Sequence, residues 1–466
     1  MQGRVKEGVW VPWGETLGEC FRPREKRVRI EKTGIALVVV VALSAGALAG
    51  GSAAKQKRPT TGFEDSNGAE WTTHEQELEF LGAVDKQSKR ISISVVGRSI
   101  QKRPLHLVRI GHPAPRTPAQ ARKRPVVLFV CSQHGNEPAG REACLQLLRD
   151  LAFTSNKTLV NQLKKTTVLV IPSANPDGLA ANTRENANGV DINRDHLNLV
   201  TPEARAIAAV VRDWKPEVVM DHHEYGPSIP VAYDDELLYL WPRNLNTAEP
   251  IHGLAKNLVD EYIEPGAEEK GYSADEYGQY ELADQDIHQS AGDGDEGIAR
   301  NAMGLRHSLG ILVESAVTED PRNGPGEVTS TEELNKRRVA SHIVVAYETL
   351  NFMRKEGEKV ARETTKAARA KTIEGRKANA PVYFGGADND PPEDSEIVDP
   401  PPCRYELTSE QANSLATVFK LHGIRTMSRG KEVTVPMAQP AEPLIPLLLD
   451  ERGTRHAVAA TPITKC

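Results

Sequence analysis

Short apolar runs that are rich in β-branched residues alternate along the chain with longer stretches in which apolar residues recur at helical spacing. The short runs predict strands at 91–96, 105–110, 126–131, 168–172, 218–221 and 311–313. The helical spacing predicts helices at 139–152, 202–213, 248–263 and 331–354. Strands separated by helices predict an α/β fold whose sheet is covered by helices on both faces.

The segments on either side of this pattern differ in composition. Residues 55–70 are polar, which predicts a disordered spacer before a main domain at 71–355. Residues 356–402 are charged and then rich in proline, which predicts a solvated stalk followed by a linker. Helical and apolar stretches return after this linker, which predicts a small C-terminal accessory module at 403–466.

An apolar run at 35–50 follows a basic cluster and leads into small residues that end near Ala54. This order is typical of a secretory signal peptide, so we expect a signal peptide region at 1–54 and a secreted protein. The run has about 16 residues, fewer than the roughly 20 of a membrane helix, so no stable membrane span is expected after cleavage. Residues 1–27 precede it and indicate an over-extended start.

The composition is ordinary for a globular protein, with 39% hydrophobic and 26% charged residues. The net charge of -6 argues against a nucleic-acid partner. Of the five cysteines, Cys403 and Cys466 bracket the C-terminal module, and secretion favours a disulfide between them. Cys131 and Cys144 lie on a predicted strand end and a predicted helix, where we expect free buried thiols.

Candidate metal ligands follow two of the predicted strands. His134 and Glu137 come after the strand at 126–131, and ligands gather at the carboxyl ends of strands in an open α/β sheet. An imidazole and a carboxylate three residues apart can converge on zinc, which needs a third protein ligand in a catalytic site. His222 or His223 supplies it from the next strand end, and strand alternation allows only one of the two.

Two further features point to chemistry at the same edge. The loop at 175–195 contains Arg184 and Arg194. Arginine is suited to binding carboxylates and oxyanions, but the same composition also fits a surface loop with solvated charges. Glu314 ends the strand at 311–313, where a carboxylate is costly without a partner. It fits a general base beside a zinc-activated water, or else a structural ion pair.

Taken in order, these motifs resemble the zinc metallocarboxypeptidases of the carboxypeptidase A type, also called funnelins. The matching pieces are His-Gly-Asn-Glu at 134–137, Asn-Pro-Asp-Gly at 175–178, Gly-Val-Asp-Ile-Asn-Arg at 189–194, Asp-x-His-x-Tyr at 221–225, and the strand that ends in Glu314. The resemblance covers roughly residues 72–352 and implies a mixed twisted sheet of the carboxypeptidase kind. Only 85 residues (138–222) separate the second ligand from the third, which resembles the compact bacterial branch.

The resemblance also implies a role for each matching residue. The ligands of one zinc ion per chain would be His134, Glu137 and His223, which leaves His222 on the other side of the strand. Asp191 would orient the first ligand, and Glu314 would be the general base. Arg184 would polarise the scissile carbonyl, while Asn193 and Arg194 would bind the terminal carboxylate of the substrate.

One departure from the family concerns a tyrosine expected on a loop before the general base. Residues 287–306 contain none, and Tyr272, Tyr277 or Tyr280 could replace it. We therefore expect a secreted, monomeric zinc carboxypeptidase that hydrolyses C-terminal residues of peptide substrates. The alternatives are a zinc amidase or deacylase, acting on wall peptides or resembling aspartoacylase, and an inactive peptidase-like binding domain.

Overall fold

A computed structural model describes residues 57–226, 235–277, 279–281, 286–288, 294–318, 330–430 and 432–465. The predicted signal peptide region and Cys466 lie outside the described residues, so the expectations for them remain predictions. The chain from Lys57 onward forms one unit by its internal contacts.

Sixteen strands are described. The first ten along the chain are β1 (Ile91–Arg98), β2 (Pro104–Ile110), β3 (Val126–Cys131), β4 (Thr167–Ile171), β5 (Val218–Tyr225), β6 (Leu237–Leu240), β7 (Ala274–Glu276), β8 (Gln279–Glu281), β9 (Asp286–His288) and β10 (Leu309–Ala316). Eight of these form the main sheet, in the order β1-β2-β4-β3-β5-β10-β6-β7. Within the described residues, β8 and β9 pair with each other and with no other strand.

The centre of the main sheet is parallel and its flanks are partly antiparallel. Strands β4, β3, β5 and β10 run in the same direction, whereas β1, β2 and β6 pair antiparallel with their inner neighbours. The predicted α/β class with a mixed sheet is therefore confirmed. Because the carboxyl ends of parallel strands meet at one edge, the segments after β3, β4, β5 and β10 lie together there.

Helices pack on both faces of this sheet, as predicted. They are α1 (Gly62–Asp65), α2 (His74–Gln87), α3 (Pro118–Ala121), α4 (Ala139–Phe153), α5 (Lys157–Lys165), α6 (Pro176–Ala181), α7 (Pro202–Trp214), α8 (Glu249–Leu258), α9 (Glu264–Glu269), α10 (Ala299–Leu305) and α11 (Thr331–Lys377). One apolar core joins α2, α4, α8 and α11 to the sheet, and a second joins α3 and α7 to the opposite face. Among the described residues, no helix combines the length and apolar character that crossing a membrane requires.

The segment expected to be a disordered spacer is folded from Lys57 onward. Thr61 caps α1 through a capping box with Glu64, and Phe63 is buried with its ring stacked on Trp71 at 5.0 Å. Burying a phenylalanine contributes roughly 1.5–3 kcal/mol toward holding this segment in place. Arg149 of α4 also pairs with Glu64. The prediction of a disordered spacer was wrong. It rested on the polar composition of the segment, which does not show that a single buried aromatic residue orders it.

The expected free thiols of Cys131 and Cys144 form a disulfide instead. Cys131 is the last residue of β3, and Cys144 lies in the second turn of α4, which packs back across the strand that precedes it. Both residues are fully buried. The bond therefore closes the loop that carries His134 and Glu137.

The expected solvated stalk is part of the packed structure. Helix α11 continues to Lys377, and its residues Val360 and Ala367 belong to the large apolar core. Asp388, in the expected linker, accepts hydrogen bonds from Trp241 and His252 of the main domain. Apolar residues at helical spacing, rather than overall charge, decide where this segment lies.

The last residues form a small layered unit against the main domain. Its elements are β11 (Val382–Tyr383), β12 (Ile397–Val398), β13 (Arg404–Thr408), α12 (Ser409–Ser414), α13 (Ala416–His422), β14 (Met427–Arg429), β15 (Glu432–Pro436), α14 (Leu444–Leu449) and β16 (Thr461–Ile463). Four of the strands form an antiparallel sheet in the order β14-β15-β13-β16. The core of this unit also contains Leu197 and Leu305 of the main domain. We refer to the part of this unit that follows β12, residues 403–466, as the C-terminal module, and its boundaries remain a proposal.

Candidate metal centre

Three donor atoms converge at the carboxyl edge of the sheet. His134 Nδ1 lies 2.8 Å from Glu137 Oε1, and His223 Nδ1 lies 2.9 Å from Glu137 Oε2. The two Nδ1 atoms are 3.0 Å apart, and all three residues are buried. Among the described residues, these three form the group that could hold a metal ion. Two imidazoles and one carboxylate suit zinc, and three protein ligands leave a position for water or substrate.

The remote nitrogen of each histidine faces a carboxylate. His134 Nε2 lies 3.1 Å from Asp191 Oδ1, and His223 Nε2 lies 2.8 Å from Asp221 Oδ2. A carboxylate there favours the tautomer with its proton on Nε2, which leaves the Nδ1 lone pair for the metal. Burial alone would raise the pKa of Asp191, but His134 and Arg184 hold it well below its usual range. The residues present therefore fit a zinc ion.

The loop between β3 and α4 is shaped by a close backbone approach. A Cβ on Gly135 would overlap the backbone of Gly178 and Leu179, so only glycine fits there. Asn175 donates from Nδ2 to the carbonyl oxygen of Gln133 at 3.1 Å and accepts from the Gly178 amide at 2.9 Å. The Asn-Pro-Asp-Gly motif thus supports the loop that carries two of the three donors.

His223 and its neighbour face opposite sides of β5. His222 points away from the donor group and lies 2.9 Å, Nδ1 to Nδ1, from His342 of α11. Burial lowers the pKa of His222 to about 4, so it is neutral at pH 7. His342 was not singled out from the sequence, because nothing in a single histidine on a long helix indicates a partner across the sheet.

Glu314 lies on the strand next to His223. In the parallel pairing of β10 with β5, Glu314 is the register partner of His223, so both side chains point to the same face. Burial, together with the nearby Glu137 carboxylate, raises the pKa of Glu314 to about 7, against the lowering effect of His223. A carboxyl that titrates near neutral pH beside the donor group can accept and return a proton.

Arg184 borders the donor group. Its Nη1 lies 3.1 Å from His134 Nδ1 and donates to Glu137 Oε1 at 3.3 Å, while Nε donates to Asp191 Oδ2 at 3.1 Å. The side chain is 40% exposed, so its guanidinium can reach a substrate as well. It is therefore placed to contact a polarised oxygen near the metal.

Asn193 and Arg194 differ in what they offer a substrate. The Arg194 side chain is 42% exposed, and its Nη1 donates to the Asn193 carbonyl oxygen at 2.9 Å. Asn193 is only 3% exposed, accepts from the Ala299 amide at 2.8 Å, and places Nδ2 3.1 Å from His223 Nε2. Asn193 Oδ1 is therefore occupied by the Ala299 amide, and the joint binding of a substrate carboxylate by Asn193 and Arg194 remains a prediction.

Of the three tyrosines that could replace the missing loop tyrosine, Tyr277 is the one whose pKa is affected by charged residues of the site. Burial and the Glu314 carboxylate raise its pKa to about 12, while Arg300, Arg184 and Arg194 act in the opposite direction. Burial raises the pKa of Tyr272, and the charges that act on it are those of Arg337 and Glu236 rather than residues of the donor group. The side chain of Tyr280 lies outside the described residues.

Sequence reasoning missed several buried residues that support the site. Gln133 donates to Asp221 Oδ1 at 2.7 Å and lies 2.7 Å from His196 Nε2. Glu224 accepts from the first amide of α4, that of Ala139, at 2.9 Å. Both are sequence neighbours of a donor, which is the only signal in the chain that could have drawn attention to them.

A mixed α/β sheet with a His-Glu-His donor group at its carboxyl edge defines a site of the catalytic zinc type. Comparison with known proteins gives a family match for part of the chain. Residues 78–296 match the model of the zinc carboxypeptidase family. This segment contains all three donors, Asp191 and Arg184, whereas Glu314 lies beyond its end. The match supports the predicted family and the predicted zinc for this part of the chain.

Individual relatives bear carboxypeptidase names. The chain is 34% identical over 189 residues to Carboxypeptidase 2 of the fungus Trichophyton equinum, which covers 39% of this chain and 35% of that protein. It is 30% identical over 171 residues to Carboxypeptidase SOL1 of Arabidopsis thaliana, with 34% of each chain covered. The chain thus spans about a third of the length of the curated relatives it matches. A metallo-carboxypeptidase structure from Burkholderia cenocepacia aligns with TM-score 0.46 and 19% identity, over 60% of this chain and 70% of that one.

Proposed function

We propose that this protein is a secreted zinc-dependent carboxypeptidase that removes C-terminal residues from peptides. The observation that carries the proposal is the convergence of His134 Nδ1, Glu137 and His223 Nδ1 within 3.0 Å of one another, beside Glu314 on the next strand. Zinc held there supplies Lewis-acid chemistry, which polarises the scissile carbonyl and makes water nucleophilic near pH 7.

The residues of the chain would divide the remaining work. Glu314 accepts the proton of the attacking water and returns it to the leaving amine, for which a pKa of about 7 is suited. Arg184 donates to the carbonyl oxygen as negative charge develops on it, and one such donor is typically worth about 2.7–4 kcal/mol. Arg194 binds the terminal carboxylate of the substrate. Asn193 holds the neighbouring Arg194 in position from the buried side of the site.

We also propose that the protein is secreted and that its catalytic domain resembles the compact bacterial branch of the family. The apolar run at 35–50 with its basic flank supports export, and the 85 residues at 138–222 support a compact catalytic domain like that of the bacterial branch. The named curated relatives are fungal and plant proteins, so this branch rests on the spacing alone. We propose a monomer, acting on peptides.

A peptide library with free and amidated C-termini tests the proposal directly. Zinc-loaded protein is incubated with the library, and mass spectrometry identifies the bonds that break. Loss of single C-terminal residues from free acids, with poor cleavage of the matching amides, is the expected result. Equal cleavage of amides would indicate an endopeptidase or amidase. Turnover confined to acyl-amino acids or muropeptides would indicate a deacylase or wall-peptide amidase, and no turnover at all a binding domain.

A further inference from the structure

Arg455 belongs to the C-terminal module, yet its guanidinium reaches the main domain beside the proposed substrate site. Its Nε and Nη2 donate to the two carboxylate oxygens of Asp295, each at 2.6 Å. Its Nη1 donates to the carbonyl oxygen of Arg194 at 3.2 Å, and its own carbonyl oxygen accepts from Asn198 Nδ2 at 3.0 Å. A bidentate pair between charged groups fixes orientation as well as distance.

Asp295 connects Arg455 to the residues that lead into α10. Its Oδ1 accepts from the Gly297 amide at 2.8 Å, and its carbonyl oxygen accepts from Asn301 Nδ2 at 3.0 Å. A Cβ on Gly297 would lie 2.7 Å from the Arg194 carbonyl oxygen and 2.8 Å from Arg455 Nε. The start of α10 is therefore held tightly between the guanidinium and the backbone of Arg194.

Asn193 continues the series to a metal donor. Its Oδ1 accepts from the Ala299 amide, in the first turn of α10, at 2.8 Å. Its Nδ2 lies 3.1 Å from His223 Nε2. A shift of residues 295–299 would therefore move Asn193, which contacts His223, and the backbone that carries the Arg194 side chain.

The module is firmly fixed to this side of the main domain. His422 of the module donates from Nε2 to the Leu197 carbonyl oxygen of the main domain at 2.7 Å. In return, His307 of the main domain donates from Nε2 to the Pro440 carbonyl oxygen of the module at 2.7 Å. Arg306 donates to the Leu421 carbonyl oxygen at 3.1 Å. Buried polar contacts of this kind leave little freedom for the module to swing, so Arg455 has a stable base.

We propose that Arg455 is a positioning residue for the substrate site and that the C-terminal module forms part of the support of that site. It acts through Asp295 on the start of α10, and directly on the backbone of Arg194. The catalytic part of this inference rests on the proposed function. The positioning itself is a property of the folded chain that can be measured without turnover.

The experiment compares Arg455→Gln with Arg452→Gln in the full chain. Arg452 is the matched control, because it makes the same kind of bidentate pair, 2.7 Å to each oxygen of Asp450, but within the module. Amide hydrogen exchange over 294–301 should become faster in Arg455→Gln and stay unchanged in Arg452→Gln. With peptide substrate, KM should rise about tenfold in Arg455→Gln with little change in kcat. Equal exchange in the two variants would overturn the proposal.

A conservative variant separates positioning from general stability. Arg455→Lys keeps the charge but loses the two-pronged contact, so its exchange and KM should lie between those of the wild type and Arg455→Gln. It also replaces Arg455→Gln if that variant does not fold. An unchanged KM in a variant with faster exchange would overturn the catalytic part alone. A wild type without peptidase activity would defeat the proposed function, while the exchange result would still decide on Arg455.

Discussion

His223 and Glu314 are register partners on neighbouring parallel strands, so the third metal donor and the proposed general base lie side by side on one face of the sheet. Backbone pairing of β5 with β10 sets this relationship, and no loop has to fold correctly to produce it. Sites built on strands are held more precisely than sites on loops. The donors from the β3 loop are brought to the same place by the disulfide and by the Asn175 contacts.

Glu314→Gln should retain zinc and lose turnover. The amide keeps the shape of the side chain but cannot accept a proton, and a positioned base typically contributes about 10²–10⁴-fold to the rate. Metal content by mass spectrometry and kcat on a free-acid peptide measure the two effects. Glu358→Gln, on the charged part of α11, serves as the control. Wild-type turnover in Glu314→Gln would remove this residue from the mechanism.

Asp191→Asn and Asp221→Asn should each weaken zinc binding about 10–100-fold, because the remote nitrogens of His134 and His223 lose the carboxylates that fix their tautomers. Competition with a chelator of known affinity measures this. Asp213→Asn removes a carboxylate that pairs with Arg212 on α7 and should leave the affinity unchanged. If all three variants bound zinc equally, the carboxylates would have no part in holding the metal.

Tyr277→Phe tests whether this residue replaces the tyrosine that the loop lacks. Its phenol is neutral at pH 7, as an ordinary tyrosine is, and burial with the Glu314 carboxylate raises its pKa further to about 12, so it can donate a hydrogen bond to substrate. We expect kcat/KM to fall about tenfold or more with zinc content unchanged. Tyr272→Phe is the control. The assignment fails if the two variants have the same kinetics.

The sequence predicted the strand ends because buried β-branched runs are strong local signals, and it predicted His134 and Glu137 because both lie in one short motif. It could not decide between His222 and His223 as the third donor. Strand alternation puts their side chains on opposite faces of the sheet but does not show which face carries the metal. Only the resemblance to a family separated them.

Contacts between distant segments could not be predicted in this way. The Cys131–Cys144 disulfide depends on how α4 packs over β3, and Phe63 orders a polar segment by a single contact with Trp71. Arg455 and Asp295 are 160 positions apart, and nothing in either neighbourhood indicates the other. Pairing of this kind is decided by the packing of the module and not by local pattern.

Gly135→Ala should abolish metal binding and lower the melting temperature. The added Cβ would overlap backbone atoms of Gly178 and Leu179, which cannot rotate away, and forced overpacking typically costs about 1–3 kcal/mol or more. Gly82→Ala in α2 is the control, because a Cβ there meets nothing within 4 Å. That change should stabilise the helix by roughly 0.5–1 kcal/mol. Zinc binding by Gly135→Ala at wild-type affinity would show that the loop can move.

Glu217→Gln should make the protein more stable at pH 8 but not at pH 4. Burial raises the pKa of Glu217 from its ordinary value of 4.5 to about 7 in the folded protein, although the Val126 amide donates to it. Between these two values the folded state binds the proton and the unfolded state does not. The contribution of this carboxyl to the free energy of unfolding is therefore complete below pH 4.5 and is lost as the pH rises to about 7.

A glutamine cannot lose a proton, and its carbonyl oxygen can still accept from Val126. At pH 8 the variant should therefore gain up to about 3 kcal/mol over the wild type, and the gain should vanish toward pH 4. Urea unfolding of both proteins at several pH values measures the difference. Glu296 and Glu442 also have a pKa of about 7, so the difference between variant and wild type, not the wild-type curve alone, isolates Glu217. Glu410→Gln, an exposed change on α12, should show no such pH dependence, and a gain that is constant with pH would rule out titration of Glu217 as its cause.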